Sequence, residues 1–103
     1  MGSPAGTREQ VSEEQPLPFD AETWAAVASA LELSPQQVRI VEGLLRAMRD
    51  KQIAQATGLR VPTVRTYFER IFRRVGVRDR VELLLKIFTL AFDLLRNGSC
   101  HRS

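Results

Sequence analysis

Apolar residues in this chain recur at helical rather than strand spacing. Trp24, Val27, Ala28 and Leu31 fall at i, i+3, i+4 and i+7, which makes one buried helical face. Asp20 stands before them as an N-cap, with Glu22 in the first turn where a carboxylate complements the helix dipole. Ser34-Pro35-Gln36-Gln37 starts a second helix: serine caps, proline suits the first helical position, and Gln37 can close a capping box. Val38, Val41, Leu44, Leu45 and Met48 form its apolar stripe. A short third helix is predicted from about Asp50 to Thr57, with Ile53 and Ala54 inward and Gly58 as its stop. Pro62 opens a fourth, which runs to about Val75 before Gly76. Asp79 and Glu82 repeat the cap-and-box pattern at the head of a fifth helix reaching about Arg96, just ahead of Asn97-Gly98.

These signals predict an all-α fold of five helices with short connections and no strand. One domain over residues 20–96 accounts for all of them. Residues 1–19, rich in Gly, Ser, Pro, Glu and Gln and without apolar period, read as a flexible acidic arm, and 97–103 as a flexible tail.

The fifth helix is unusually apolar. Val81, Leu84, Leu85, Phe88, Phe92 and Leu95 make one stripe, expected to cap the core. Leu83, Ile87, Leu90 and Leu94 make a second, spaced 4-3-4 like a coiled-coil seam. A small monomer has little core left for two stripes on one helix, and an exposed one is a sticky patch. The second stripe therefore reads as the seam of a symmetric homodimer, or else it packs on the Trp24 helix within one chain.

The stretch from Asp50 to Phe68 carries a steric signature. Small Ala54 stands four residues before Gly58, followed by apolar Leu59 and an inward Val64. A helix-turn-helix needs such an order: the small residue lets the second helix cross closely, the glycine makes the turn, and the apolar residues fix the crossing. At about 100° per residue, Val64, Phe68, Ile71 and Val75 fall in a narrow sector of the second helix. Thr66, Glu69, Arg70 and Arg73 lie opposite, with Arg65 at the border. A helix with a buried ridge and an arginine-rich outer face can enter the major groove, where an arginine fork pairs with guanine or grips phosphate.

Charge distribution sharpens this picture. Residues 1–33 hold one basic and six acidic side chains, whereas residues 34–80 hold eleven basic and four acidic ones, a net of +7. A polyanion would meet the middle of the chain. No apolar run is long enough for a membrane span, the N-terminus has no secretory h-region, and the single Cys100 cannot form an intrachain disulfide. The expected setting is cytoplasmic, at the nucleoid. Cys100 and His101 are adjacent but lack further ligands, so no metal and no cofactor is expected. With no nucleophile-base set in the folded region and no phosphate-cradling loop, an enzyme is not expected either.

Ser34-Pro35-Gln36-Gln37, Lys51-Gln52-Ile53-Ala54, Thr63-Val64-Arg65-Thr66, Ile71-Phe72-Arg73-Arg74 and Gly76-Val77-Arg78-Asp79-Arg80 resemble successive landmarks of the LuxR/GerE-type helix-turn-helix. The resemblance covers roughly residues 33–90. It implies a four-helix DNA-binding domain, here with an extra N-terminal helix and a long C-terminal one, in a transcription regulator. The family's third helix reads the major groove of double-stranded DNA, and its fourth commonly contributes to dimerisation. By position, the resemblance places Arg65, Thr66 and Glu69 toward base edges. It places Lys51 and Thr63 near the phosphate backbone, and Arg73 and Arg74 as backbone contacts. Arg70, on the same outer face, joins the backbone set. The dimer seam would be Leu83, Ile87, Leu90 and Leu94. Three positions depart from the family pattern: Tyr67 replaces a frequent His, Arg60 stands where a capping Ser is common, and Glu69 is acidic. Glutamate can accept from cytosine N4, or pair with Arg65 or Arg73 four residues away.

The competing reading is a protein-interaction module of the same fold, as in promoter-recognition domains of sigma factors, which would bind RNA polymerase or another regulator. RNA polymerase or a separate sensor protein would also be the regulatory partner of a DNA-binding form.

Overall fold

The computed structural model describes the backbone of residues 16–102 and the side chains of residues 16–96. The expected arm up to residue 15 and the side chains of Cys100 and His101 lie outside the described residues. Five α-helices follow in order: α1 (Ala21–Ala30), α2 (Pro35–Leu45), α3 (Asp50–Thr57), α4 (Val61–Val75) and α5 (Arg80–Arg102). The described residues contain no strand. None of these helices is long and apolar enough to cross a membrane.

The helix starts follow their capping chemistry. Asp20 accepts from the Thr23 amide at 2.8 Å, and hydrogen bonds from the Thr23 hydroxyl and amide hold its carboxyl below the usual aspartate range. Ser34 and Gln37 form the reciprocal box, with Pro35 in the first turn. Asp79 caps α5 by accepting from the Glu82 amide at 2.9 Å. Glu82 reaches back one residue further than a capping box requires, to the Arg78 amide at 2.8 Å. At Arg60 no side chain caps α4, and Pro62, whose fixed φ suits a first turn, sits in that turn.

One core joins all five helices. Trp24, Val27, Ala28 and Leu31 of the α1 region meet Ile40 and Val41 of α2, Ile53 and Ala54 of α3, Val64, Phe68 and Ile71 of α4, and Leu83, Ile87 and Ala91 of α5. The Trp24 indole N–H, which must find a partner when buried, donates to Glu42 at 2.8 Å and ties α1 to α2. α1 lies along α5, and α3 packs on α4.

Two boundaries differ from the sequence reading. Leu17 and Phe19, placed in the arm, pack on the core. The Phe19 ring meets Trp24 edge-on at 6.1 Å and Phe88 at 5.7 Å. Helix α5 continues past Asn97-Gly98 to Arg102 instead of ending at Arg96. A glycine inside a helix costs only about 1 kcal/mol relative to alanine, so this pair permits a stop without enforcing one.

The larger correction concerns the two faces of α5. Leu83 and Ile87 are fully buried, and Leu90 and Leu94 are half-buried against the same core. The stripe expected to form a dimer seam is thus the one that packs on α1. The stripe expected to cap the core is mostly in solvent, with Val81 65%, Leu85 62%, Phe88 39%, Phe92 69% and Leu95 47% exposed. The small Ala91 continues the Leu83–Ile87 row on the buried side, and α1 lies along α5.

Gly43 on α2 sets how closely α3 can approach. A Cβ built there would lie 2.6 Å from Cγ1 of Ile53, a side chain with no exposure. Overpacking of this kind costs about 1–3 kcal/mol, against about 1 kcal/mol gained in helix propensity. Gly43→Ala is therefore expected to destabilise the domain by about 1 kcal/mol net, a fall in Tm of roughly 4–8 °C. Thermal unfolding followed by circular dichroism checks this, and an unchanged or raised Tm would mean that α2 and α3 can slide apart freely.

Candidate nucleic-acid interface

The turn between α3 and α4 forms as its residues dictate. Gly58 takes φ 75°, and its amide donates to the Ala54 carbonyl. That carbonyl also accepts from the Leu59 amide at 2.9 Å. Positive φ is a region that residues with a Cβ rarely adopt, which is why glycine stands there. Ala54, only 5% exposed, is small enough for α4 to pass over α3. Thr57 turns its hydroxyl back onto the Ile53 carbonyl at 2.7 Å, so the last turn of α3 presents no unmet hydroxyl to α4.

α4 then divides cleanly by face. Val64, Phe68 and Ile71 are buried, with Tyr67, Phe72 and Val75 partly so. Thr63, Arg65, Thr66, Glu69, Arg70, Arg73 and Arg74 are all exposed, and Lys51 is exposed in the first turn of α3. All eight residues expected to meet DNA are therefore solvent-accessible on these two helices. Arg73 and Arg74 also occupy the last turn of α4, where cations complement the helix dipole whatever else they do. The Thr66 hydroxyl donates to the Pro62 carbonyl at 3.1 Å, which leaves its lone pairs outward as acceptors.

Arg65 does not pair with Glu69, the partner its spacing suggests. Its Nε lies 3.3 Å from Oδ2 of Asp50, at the start of α3. The other oxygen of Asp50 meets Arg80 of α5 at 2.7 Å, and the Arg80 guanidinium lies over the Phe68 ring at 4.1 Å from its centroid. Asp50 thus joins three helices at the edge of the exposed face. From sequence alone Asp50 is only a helix start, and Arg80 has no role beyond its place in the family pattern. Pairs fifteen and thirty residues apart follow from how helices cross, and no periodicity announces them.

Chemically this arrangement offers donors and little else. Five of the exposed residues on these helices are arginine or lysine, and one, Glu69, is acidic. Among the described residues no group of three or more His, Cys, Asp or Glu is placed to hold a metal ion. The exposed face is backed by the buried ridge of Val64, Phe68 and Ile71.

A family model described as bacterial regulatory proteins, luxR family, matches residues 31–87, more than half of the chain. It begins just before α2 and ends within α5, so α1 and the outer turns of α5 lie beyond it. No curated protein and no solved structure matches the chain.

Proposed function

Because this chain belongs to the luxR family of bacterial regulatory proteins, a family of DNA-binding helix-turn-helix regulators, we propose that it reads double-stranded DNA sequence-specifically with α4 in the major groove. The observation that carries this is the division of α4 into a buried apolar ridge and an exposed face bearing Arg65, Thr66, Glu69, Arg70 and Arg73. A major groove about 12 Å wide admits one helix, and the ridge fixes which side of α4 turns toward it. Arg65, Thr66 and Glu69 read base edges. Lys51, Thr63, Arg70, Arg73 and Arg74 hold phosphates. Control of transcription is the consequence, and it places the protein on the chromosome in the cytoplasm.

A second copy of the chain completes the reader. The exposed residues Val81, Leu85, Phe88, Phe92 and Leu95 are spaced 4-3-4-3, a heptad seam displaced to the opposite face from the one the sequence suggested. Laid antiparallel on a second copy, with the two-fold beside Leu90, the seam sets Leu85 against Leu95 and Phe88 against Phe92 of the other copy. The same register brings Glu82 opposite Arg96, so the flanking charges agree with it. Such a dimer presents two copies of α4 to two half-sites.

Lys51 tests the electrostatic part. Each phosphate contact releases condensed counterion, so binding to B-DNA weakens with salt at a slope of about −0.9 per contact. Lys51→Ala is expected to lower affinity for all duplexes alike and to reduce that slope by about one. Fluorescence anisotropy on a labelled random-sequence duplex, titrated across salt concentrations, reads both. Binding that is indifferent to salt in the wild-type protein would contradict the proposal and favour a protein-interaction module.

A further inference from the structure

We propose that Asp50 is a positioning residue for base reading: it holds Arg65 by one edge so that the rest of the guanidinium faces the groove. This rests on the reading of Arg65 as a base contact. An arginine side chain loses much rotamer freedom when it docks, and a contact already made in the free protein reduces that loss. The pair is single-edged, Nε to Oδ2 at 3.3 Å, which leaves the two terminal amino groups for a bidentate pair with guanine O6 and N7. The Asp50 side chain is itself only 19% exposed, whereas that of Arg65 is 67% exposed, so the anchor is fixed and the reader reaches outward.

An acidic group beside phosphates ordinarily repels DNA. Here Arg80, 2.7 Å from the other carboxylate oxygen and seated on the Phe68 ring, offsets the charge. The unit Phe68–Arg80–Asp50–Arg65 therefore runs from the core of α4 to its reading edge. It also makes the roles of the two partners opposite in sign. Removing Arg65 removes a DNA contact, but removing the Asp50 charge removes a repulsion from every duplex while loosening the one residue that discriminates.

The test compares duplexes selected from a random-sequence pool by the wild type, Arg65→Ala and Asp50→Asn, together with the affinity of each protein for the unselected pool. Asp50→Asn is expected to weaken base preference roughly three- to tenfold, consistent with the side-chain ordering a preformed contact can supply, at the same base positions that Arg65→Ala erases. Its affinity for the unselected pool should be unchanged or higher. A merely structural role would lower both together. In the Arg65→Ala background, Asp50→Asn should change base preference no further. Arg65→Lys supplies a second probe that leaves Asp50 intact. A lysine ammonium can meet the carboxylate or the guanine but has no separate edge for each, so preference at those positions should fall. If Arg65→Ala erases a preference that Asp50→Asn keeps, the positioning role is overturned and the base-reading role stands. If Arg65→Ala selects the same sequences as the wild type, both are overturned.

Discussion

Arg65→Glu is expected to abolish sequence-specific binding while leaving the domain folded. A bidentate arginine–guanine pair carries about 1–3 kcal/mol of discrimination, so its loss alone lowers affinity for the selected duplex by about fivefold to more than a hundredfold. Charge reversal adds repulsion from the phosphates flanking the groove, and that term grows at low salt. It also sets the new carboxylate against Asp50, which then keeps only Arg80 as a counter-ion. Stability should fall little, because an exposed ion pair is worth about 0–1 kcal/mol. The measurement is anisotropy on the selected duplex and on a random duplex, with thermal unfolding beside it. Specific binding should fall on the order of a hundredfold or more. Random-duplex binding should fall far less. Equal losses on both duplexes would make Arg65 a phosphate contact and remove it from the reading set.

Phe92→Asp should produce a folded monomer. Phe92 is 69% exposed in the single chain, so the substitution removes little from the core. In the proposed seam the same ring meets Phe88 of a second copy, and a carboxylate placed there would be desolvated without a partner, which is strongly unfavourable. Sedimentation equilibrium should therefore give the mass of one chain for Phe92→Asp and of two for the wild type. Two linked half-site contacts typically gain about 10²–10⁴ over one, so affinity for a two-half-site duplex should fall by that order. Affinity for an isolated half-site should stay the same. A wild-type protein that is already monomeric at binding concentrations would remove the seam from the proposal and leave α4 as a single reader.

Much of this fold is legible in the sequence because its signals are local. Asp20, Ser34, Gln37 and Asp79 cap through the backbone within four residues, and Gly58 and Gly76 take the positive φ their turns require. Ala54 and Gly58 stand close enough in sequence for the helix-turn-helix to be recognised before any tertiary contact is known. The ridge of α4 is equally plain, because one face of that helix is apolar and the other is not.

What the sequence does not express is tertiary. Both faces of α5 are apolar, and nothing in its own periodicity says which one α1 will cover. Ala91 is the available signal, a small residue that continues the buried Leu83–Ile87 row. Ile40 falls outside the stripe predicted for α2, yet it is buried because α2 is covered on more than one side. Gly43 matters only through Ile53 of another helix. Ala47 takes φ 63° between α2 and α3, a conformation costing a residue with a Cβ roughly 1–2 kcal/mol, and no turn signal marks it. The exposed site residues on α3 and α4 lie where a helical wheel puts them. Their organisation around Asp50 depends on three helices meeting, which spacing along one helix cannot express.

The most direct measurement of the central claim is selection of bound duplexes from a random-sequence pool at near-physiological salt by the wild-type protein. A sequence-reading α4 predicts recovery of a defined motif, as two inverted half-sites if the seam on α5 pairs two copies. Recovery of no preferred sequence by a folded protein would contradict it.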